Sequence, residues 1–254
     1  MATLAAQSRG PVSNATLPGR RYDNRFFSAV AILVLLAVFI GFAPTYYFAG
    51  VVEAPLPSPI IHVHGAVFSI WVLLLIVQTS LVSGRRVDVH RQLGVFGFVW
   101  AGLMILAGLA AATNALVNGR TPRPGLDSKA FFAVPFFDIV MFGVLIFFAM
   151  RQRRNPAAHK RLILLATVAL LTAAFARFHA GFLHGNVVNA ILAADVFVVL
   201  LCLYDLWSMR KVHRVTWLGG LFLIVLQFGR LPLSQTSLWL NFTTWLQTHA
   251  TWLK

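Results

Sequence analysis

The chain has 254 residues, 59% of them hydrophobic, with a mean hydropathy of +0.78 and a formal net charge of +14. Soluble domains are roughly 45–50% apolar, so this composition excludes an ordinary soluble fold and points to a polytopic membrane protein. The positive charge lies in short loops between apolar runs, where it orients the chain rather than binding nucleic acid, and the single cysteine, Cys202, excludes a disulfide framework and a CxxC metal or redox motif.

Residues 1–26 are polar, rich in Gly, Pro, Ser and Asn, and carry Arg9, Arg20, Arg21 and Arg25. They read as a flexible cytoplasmic tail with no cleavable signal, because the first apolar run is too long for a signal peptide. Seven apolar spans follow, near residues 27–49, 60–83, 92–116, 130–150, 161–183, 188–208 and 216–234. Each is close to the roughly 20 residues that a helix needs to cross a bilayer. The expected fold is therefore an all-α membrane bundle over residues 27–234. Small residues in the third span (Gly94, Gly97, Ala101, Gly102, Gly108) allow close helix approach, which makes that span the expected centre.

Lys and Arg alternate strongly between the two sides. Fifteen of the 21 fall in the tail and in the loops at 84–91, 151–161 and 209–214, against four on the opposite side. By the positive-inside rule the N-terminus is cytoplasmic. Residues 235–254 place Leu238, Phe242, Trp245, Leu246 and Leu253 on one helical face and Asn241, Thr244, Gln247, Thr248 and Thr251 on another, the pattern of an interfacial amphipathic helix on the outer side.

The three inner loops share a basic pair followed by a histidine and a further basic residue: RRVDVHR, RRNPAAHKR and RKVHR. His90, His159 and His213 thus stand where spans three, five and seven begin. Capping at the helix entrance is the plain reading, and ligation by a neutral imidazole the functional one.

Three of the seven acidic residues, Asp138, Asp195 and Asp205, fall inside apolar spans, where a carboxylate costs roughly 2.5–3.5 kcal/mol. Counting about 1.5 Å per residue puts Asp138, Asp195, Arg177, Arg230, His64 and His179 in one outer layer. Asp205 lies near the inner end and reads as an interface marker. His64, Trp71 and Gln78 recur every seven residues and share a stripe of span two, with His62 turned away from it. On span five, Arg177, Gly181 and His184 share another.

Three functions fit this layer. A b-type haem would take His64 with His179 or His184 as axial ligands and Arg177 and Arg230 for its propionates, with a second haem on His90 and His159. This electron-transfer reading leads, with a quinone or redox protein as partner. A zinc hydrolase or metal-handling site would draw on His62, His64, His179, Asp138 and Asp195. A non-enzymatic carrier or accessory subunit of a membrane complex would use the charges as structural pairs, Asp138 with Arg177 and Asp195 with Arg230.

The motifs HGAVFSIWVLLLIVQTSLV, RRVDVHRQLG, HKRLILLAT and YDLWSMRKVHRVTWLGG resemble those of an uncharacterised family of bacterial integral membrane proteins, over most of residues 30–245. The resemblance implies an inner-membrane protein of about seven helices. The His-Arg and His-Lys-Arg entrances are also distantly similar to multi-pass families related to b-type cytochromes.

Overall fold

The computed structural model describes residues 22–51, 58–122 and 125–253. The fold is all-α. Its helices are α1 (Asp23–Phe42), α2 (Pro59–Ser83), α3 (Val87–Val117), the short α4 (Ser128–Phe131), α5 (Ala133–Arg151), α6 (Pro156–Ala169), the short α7 (Thr172–Phe175), α8 (Val187–Met209), α9 (Arg214–Leu233) and α10 (Ser237–His249). Among the described residues, seven segments are long and apolar enough to cross a membrane, with α4–α5 and α6–α7 each serving as one. Most of the proposed tail lies outside the described residues, and α1 begins at Asp23.

Local chemistry sets the helix starts. Asn155 and Asn186 accept hydrogen bonds from the Ala158 and Asn189 N–H groups at the starts of α6 and α8, and Pro156 occupies the first helical position of α6, where no N–H is needed. His213 caps α9 in the same way, its Nδ1 accepting from Val215 N–H at 3.1 Å. α1 widens at Pro44 into a π-helical turn over Ala43–Tyr47, which carries the Tyr46 hydroxyl to the His62 carbonyl (3.0 Å) and sets the Tyr47 hydroxyl beside Ser69 Oγ (2.8 Å).

The centre of the bundle differs from the expected one. The most apolar stretch of α6–α7 is 67% buried against 33% for α3. α6 packs on α5, α8 and α9, while α3 covers α2 and α5 from outside. Gly102 faces open space, whereas Gly97 and Gly108 lie against Leu74 and Ile139. The closest backbone approach is at Gly41, where any Cβ would run into the Ala174 carbonyl of α7.

Span five also ends earlier than its composition implies. The helix relaxes at Leu170 and Leu171, resumes for one turn and stops at Phe175, and residues 176–186 form turns that close at Gly185 with φ of +65°. The stripe expected from Arg177 through Gly181 to His184 therefore does not exist.

α10 folds back on the ends of α3, α4 and α5. Trp239 inserts among Phe132, Phe136 and Phe137 and donates its indole N–H to the Lys129 carbonyl at 2.9 Å. Gln247 bonds the Leu116 carbonyl (2.8 Å), and Lys129 Nζ donates to Thr244 Oγ1 (2.9 Å). Trp239 and Thr243 are the buried residues of α10; of the expected apolar face, Leu246 and Phe242 pack against the Phe132–Trp239 cluster, while Leu238 and Trp245 are exposed.

Candidate functional site

Three polar groups sit within the bundle: an outer one, an inner knot, and an inner cavity beside that knot.

The outer layer is dispersed. Asp138 pairs with Arg230, whose Nη1 also donates to the Val134 carbonyl at 2.8 Å. With the Gln227 amide oriented so that its nitrogen faces acceptors, it donates to Asp195 at 3.1 Å, so the partner of Asp195 is a glutamine rather than an arginine. Arg177 does not meet Asp138. Its Nη1 donates to the Ala173 carbonyl (2.6 Å), its guanidinium lies 4.5 Å from the centre of the Phe42 ring, and burial pushes its pKa down to about 10. His64 leans on Phe68, with ring centres 4.2 Å apart, while its Nδ1 is buried without a partner. His179 and His184 stand 5.5 Å apart in the exposed turns after α7, and His62 is exposed beside Tyr46.

These positions overturn the haem and zinc readings. Among the described residues no group of three His, Cys, Asp or Glu side chains comes close enough to hold a metal ion, so His62, His64, His179, Asp138 and Asp195 do not form a zinc site. His64 is packed inside the bundle while His179 and His184 are exposed in turns, so they do not face one another as axial haem ligands. Arg230 is engaged by Asp138, and Arg177 by Ala173 and Phe42, rather than arranged for propionates. The outer group is a set of separate structural contacts, not a histidine-rich centre.

The inner knot centres on Asp205, which lies one turn before the inner end of α8 and is fully buried within the protein. Its carboxylate accepts from Arg161 Nε (3.0 Å) and Nη2, from the His213 backbone N–H (3.0 Å) and from the Thr216 hydroxyl (2.5 Å). Arg161 also donates to the Ala157 carbonyl at 2.7 Å. The neighbouring Lys160 turns the other way, pairing with Asp23 of α1 at 2.5 Å, and Asp23 accepts from the Tyr204 hydroxyl of α8 at 2.6 Å. Successive helical residues point about 100° apart, so the His159-Lys160-Arg161 run lets α6 address α5, α1 and α8 in turn.

Next to this knot is a cavity of about 730 Å³ bounded by α1, α2, α3, α6 and the α5–α6 turn, a size typical of small-molecule sites. Its deep wall is apolar, with Trp71, Leu74, Leu75, Phe98 and Leu164. Trp71 lies 12 positions before the end of α2, so the cavity reaches about 18 Å into the bundle at 1.5 Å per residue. The Trp71 indole N–H donates to Thr167 Oγ1 at 3.2 Å and its ring meets Phe142 edge-on, which fixes the floor. Arg91, Arg153 and Arg154 stand at the mouth with the Lys160–Asp23 pair.

Between floor and mouth, His90 and His159 meet edge to face with ring centres 6.5 Å apart. His159 Nδ1 lies 2.9 Å from the Ala149 carbonyl; a carbonyl only accepts, so Nδ1 carries the proton and Nε2 a lone pair. His90 is held in the opposite form. The Gln78 amide nitrogen donates to His90 Nδ1 at 2.6 Å and to the His90 carbonyl at 3.2 Å, while its oxygen accepts from Gly94 N–H at 3.0 Å; the reverse orientation would set oxygen against carbonyl and N–H against N–H. His90 therefore carries its proton on Nε2. A ring protonated there offers no Nε2 lone pair to iron, and its Nδ1 is occupied, so the inner pair does not provide two axial haem ligands either.

His90 and His159 stand out in the repeated inner motif, whereas the stripe that Trp71 and Gln78 share with His64 on α2 gives no sign of a cavity. The roles of Lys160 and Arg161 were hidden, because loop charges that orient the chain look the same in sequence as charges that pair inside it. Comparison with models of protein families, with curated proteins and with solved structures found no match in any of the three.

Proposed function

We propose that this chain is a non-enzymatic membrane carrier that takes a single-chain amphiphile into the cavity at its basic end, tail toward Trp71 and head among His90, His159 and the mouth arginines. The observation that carries the reading is the polarity gradient of that 730 Å³ cavity, apolar at its floor and cationic at its mouth. A ligand wholly polar would leave the floor wet, and one wholly apolar would leave the mouth groups without use. The fifteen-to-four distribution of Lys and Arg supports placing the mouth on the cytoplasmic side of a bacterial inner membrane, where the ligand enters from the inner leaflet. The exposed Leu238 and Trp245 of α10 then anchor the opposite end at the outer surface.

The test uses protein reconstituted in phosphatidylcholine nanodiscs and titrated with a single-chain amphiphile brominated along its tail, which quenches nearby tryptophan. The expected result is a saturable quench that is missing in Trp71→Phe and weakened in Thr79→Phe, which puts a ring into the cavity. Equal quenching in the wild type and Trp71→Phe overturns the reading, since lipid-facing tryptophans then account for all of it.

A further inference from the structure

The two cavity histidines present one donor and one acceptor, and this asymmetry is built in by other residues. Gln78 holds the His90 proton on Nε2, and the Ala149 carbonyl holds the His159 proton on Nδ1. A head group meeting both rings needs an acceptor for His90 and a proton to share with His159. A hydroxyl meets that demand with a single oxygen that must serve both rings. A phosphate dianion offers acceptors only, and its singly protonated form spreads donor and acceptors over three tetrahedral oxygens; an ammonium offers donors only. A carboxylic acid offers the two functions on separate oxygens, in one plane.

We infer that the cavity binds a single-chain carboxylic acid together with one proton, its head clamped between His90 Nε2–H and His159 Nε2. The inference rests on the amphiphile reading above and assigns its head group. In water at neutral pH such an acid is ionised. The anion enters from the inner leaflet with its head in water, one proton follows from bulk water, and the proton is shared between a carboxylate oxygen and His159 Nε2; no bond other than O–H or N–H changes. Whether the bound pair is acid with imidazole or carboxylate with imidazolium, the stoichiometry is one proton per ligand. The other charges facing the site are Arg91 of α3, Arg153 and Arg154 of the α5–α6 turn, Lys160 of α6 and Asp23 of α1. Lys160 and Asp23 neutralise each other, so the three arginines are the charges left to draw the anion to the mouth.

The experiment compares dodecanoic acid, dodecanol and dodecylamine as competitors of the brominated amphiphile in nanodiscs, and follows proton uptake with a pH indicator in weak buffer at pH 7.5. The acid is expected to bind at least about tenfold more tightly than the alcohol, the effect of one charge-assisted hydrogen bond. It should take up close to one proton per molecule, and the amine should not compete. In His159→Phe, which lacks the acceptor, uptake should vanish and the acid should fall to the affinity of the alcohol. Gln78→Met, which frees His90 to change tautomer, should narrow the preference without abolishing tail binding. Acid binding without proton uptake, or an unchanged preference in His159→Phe, overturns the head-group assignment while leaving the cavity reading intact. Absence of any Trp71-dependent binding overturns both.

Discussion

Replacing Asp205 with alanine leaves the Arg161 guanidinium inside the bundle with no anion beside it, its remaining partners being the Ala157 carbonyl and, at 4.0 Å, the Met209 sulfur. It also removes the acceptor of the Thr216 hydroxyl and of the His213 backbone N–H, both fixed by the same carboxylate. Arg161 and Asp205 have side-chain exposures of 2% and 0%, so solvent cannot substitute. Breaking one side of such a buried pair costs about 3–5 kcal/mol, against a total stability of order 5–15 kcal/mol for a folded domain. Reversible unfolding by SDS in mixed micelles measures the loss. The double variant Arg161→Met with Asp205→Leu should recover most of it, because no charge is then stranded. Asp88→Asn is the control: Asp88 lies 4.0 Å from Arg86 with both side chains largely exposed, and no measurable change is expected. An Asp205→Ala protein as stable as Asp88→Asn would refute the knot as a structural tie.

Gly41→Leu forces a side chain into the Ala174 carbonyl and should destabilise the fold by about 1–3 kcal/mol, while Gly102→Leu, with open space before it, should be tolerated; thermal unfolding of the two variants separates them. His213 has its pKa lowered, chiefly by burial and then by the Arg161 charge. The unfolded chain therefore binds the proton more readily, and stability is lost as pH falls below the free value near 6.5. Protonation also removes the acceptor that caps α9. His213→Ser, which keeps a capping oxygen without titrating, should unfold at a temperature that depends less on pH between 7.5 and 5, and an unchanged pH slope would contradict the assignment. Asp138→Asn should cost more stability than Asp195→Asn, because the first strips the carboxylate from the fully buried Arg230 and the second only weakens a bond to the neutral Gln227. Equal losses would refute that ordering.

The membrane spans were legible because each must satisfy its backbone internally and therefore spells out a near-continuous apolar helix. The end of span five was not. Residues 176–186 mix Phe178, Phe182 and Leu183 with Arg177, His179, His184 and Asn186, so composition alone does not mark where the helix stops, and the turns that follow Phe175 close at Gly185. The intramembrane charges announced that pairs exist, but partner choice depends on which helices adjoin. α9 lies against α5, so Arg230 reaches Asp138, and Arg177 is left on the ring of Phe42. The inner histidines show the same limit. His213 fits the capping reading of the shared motif, whereas His90 and His159 line a cavity whose walls come from four separate stretches of chain. A helix entrance can be recognised from its own residues; a cavity between helices requires their arrangement.

The most direct test of the carrier reading is to map where the tail goes. A twelve-carbon acid with a diazirine near the end of its tail is photolysed with the reconstituted protein, and the labelled residues are identified by mass spectrometry. Trp71, Leu74 and Leu75 line the cavity floor, while Leu73 and Val77 on the same helix face outward. Label on Trp71, Leu74 and Leu75 that is competed away by unlabelled acid is the expected result, and label confined to Leu73, Val77 and other outward residues would contradict it.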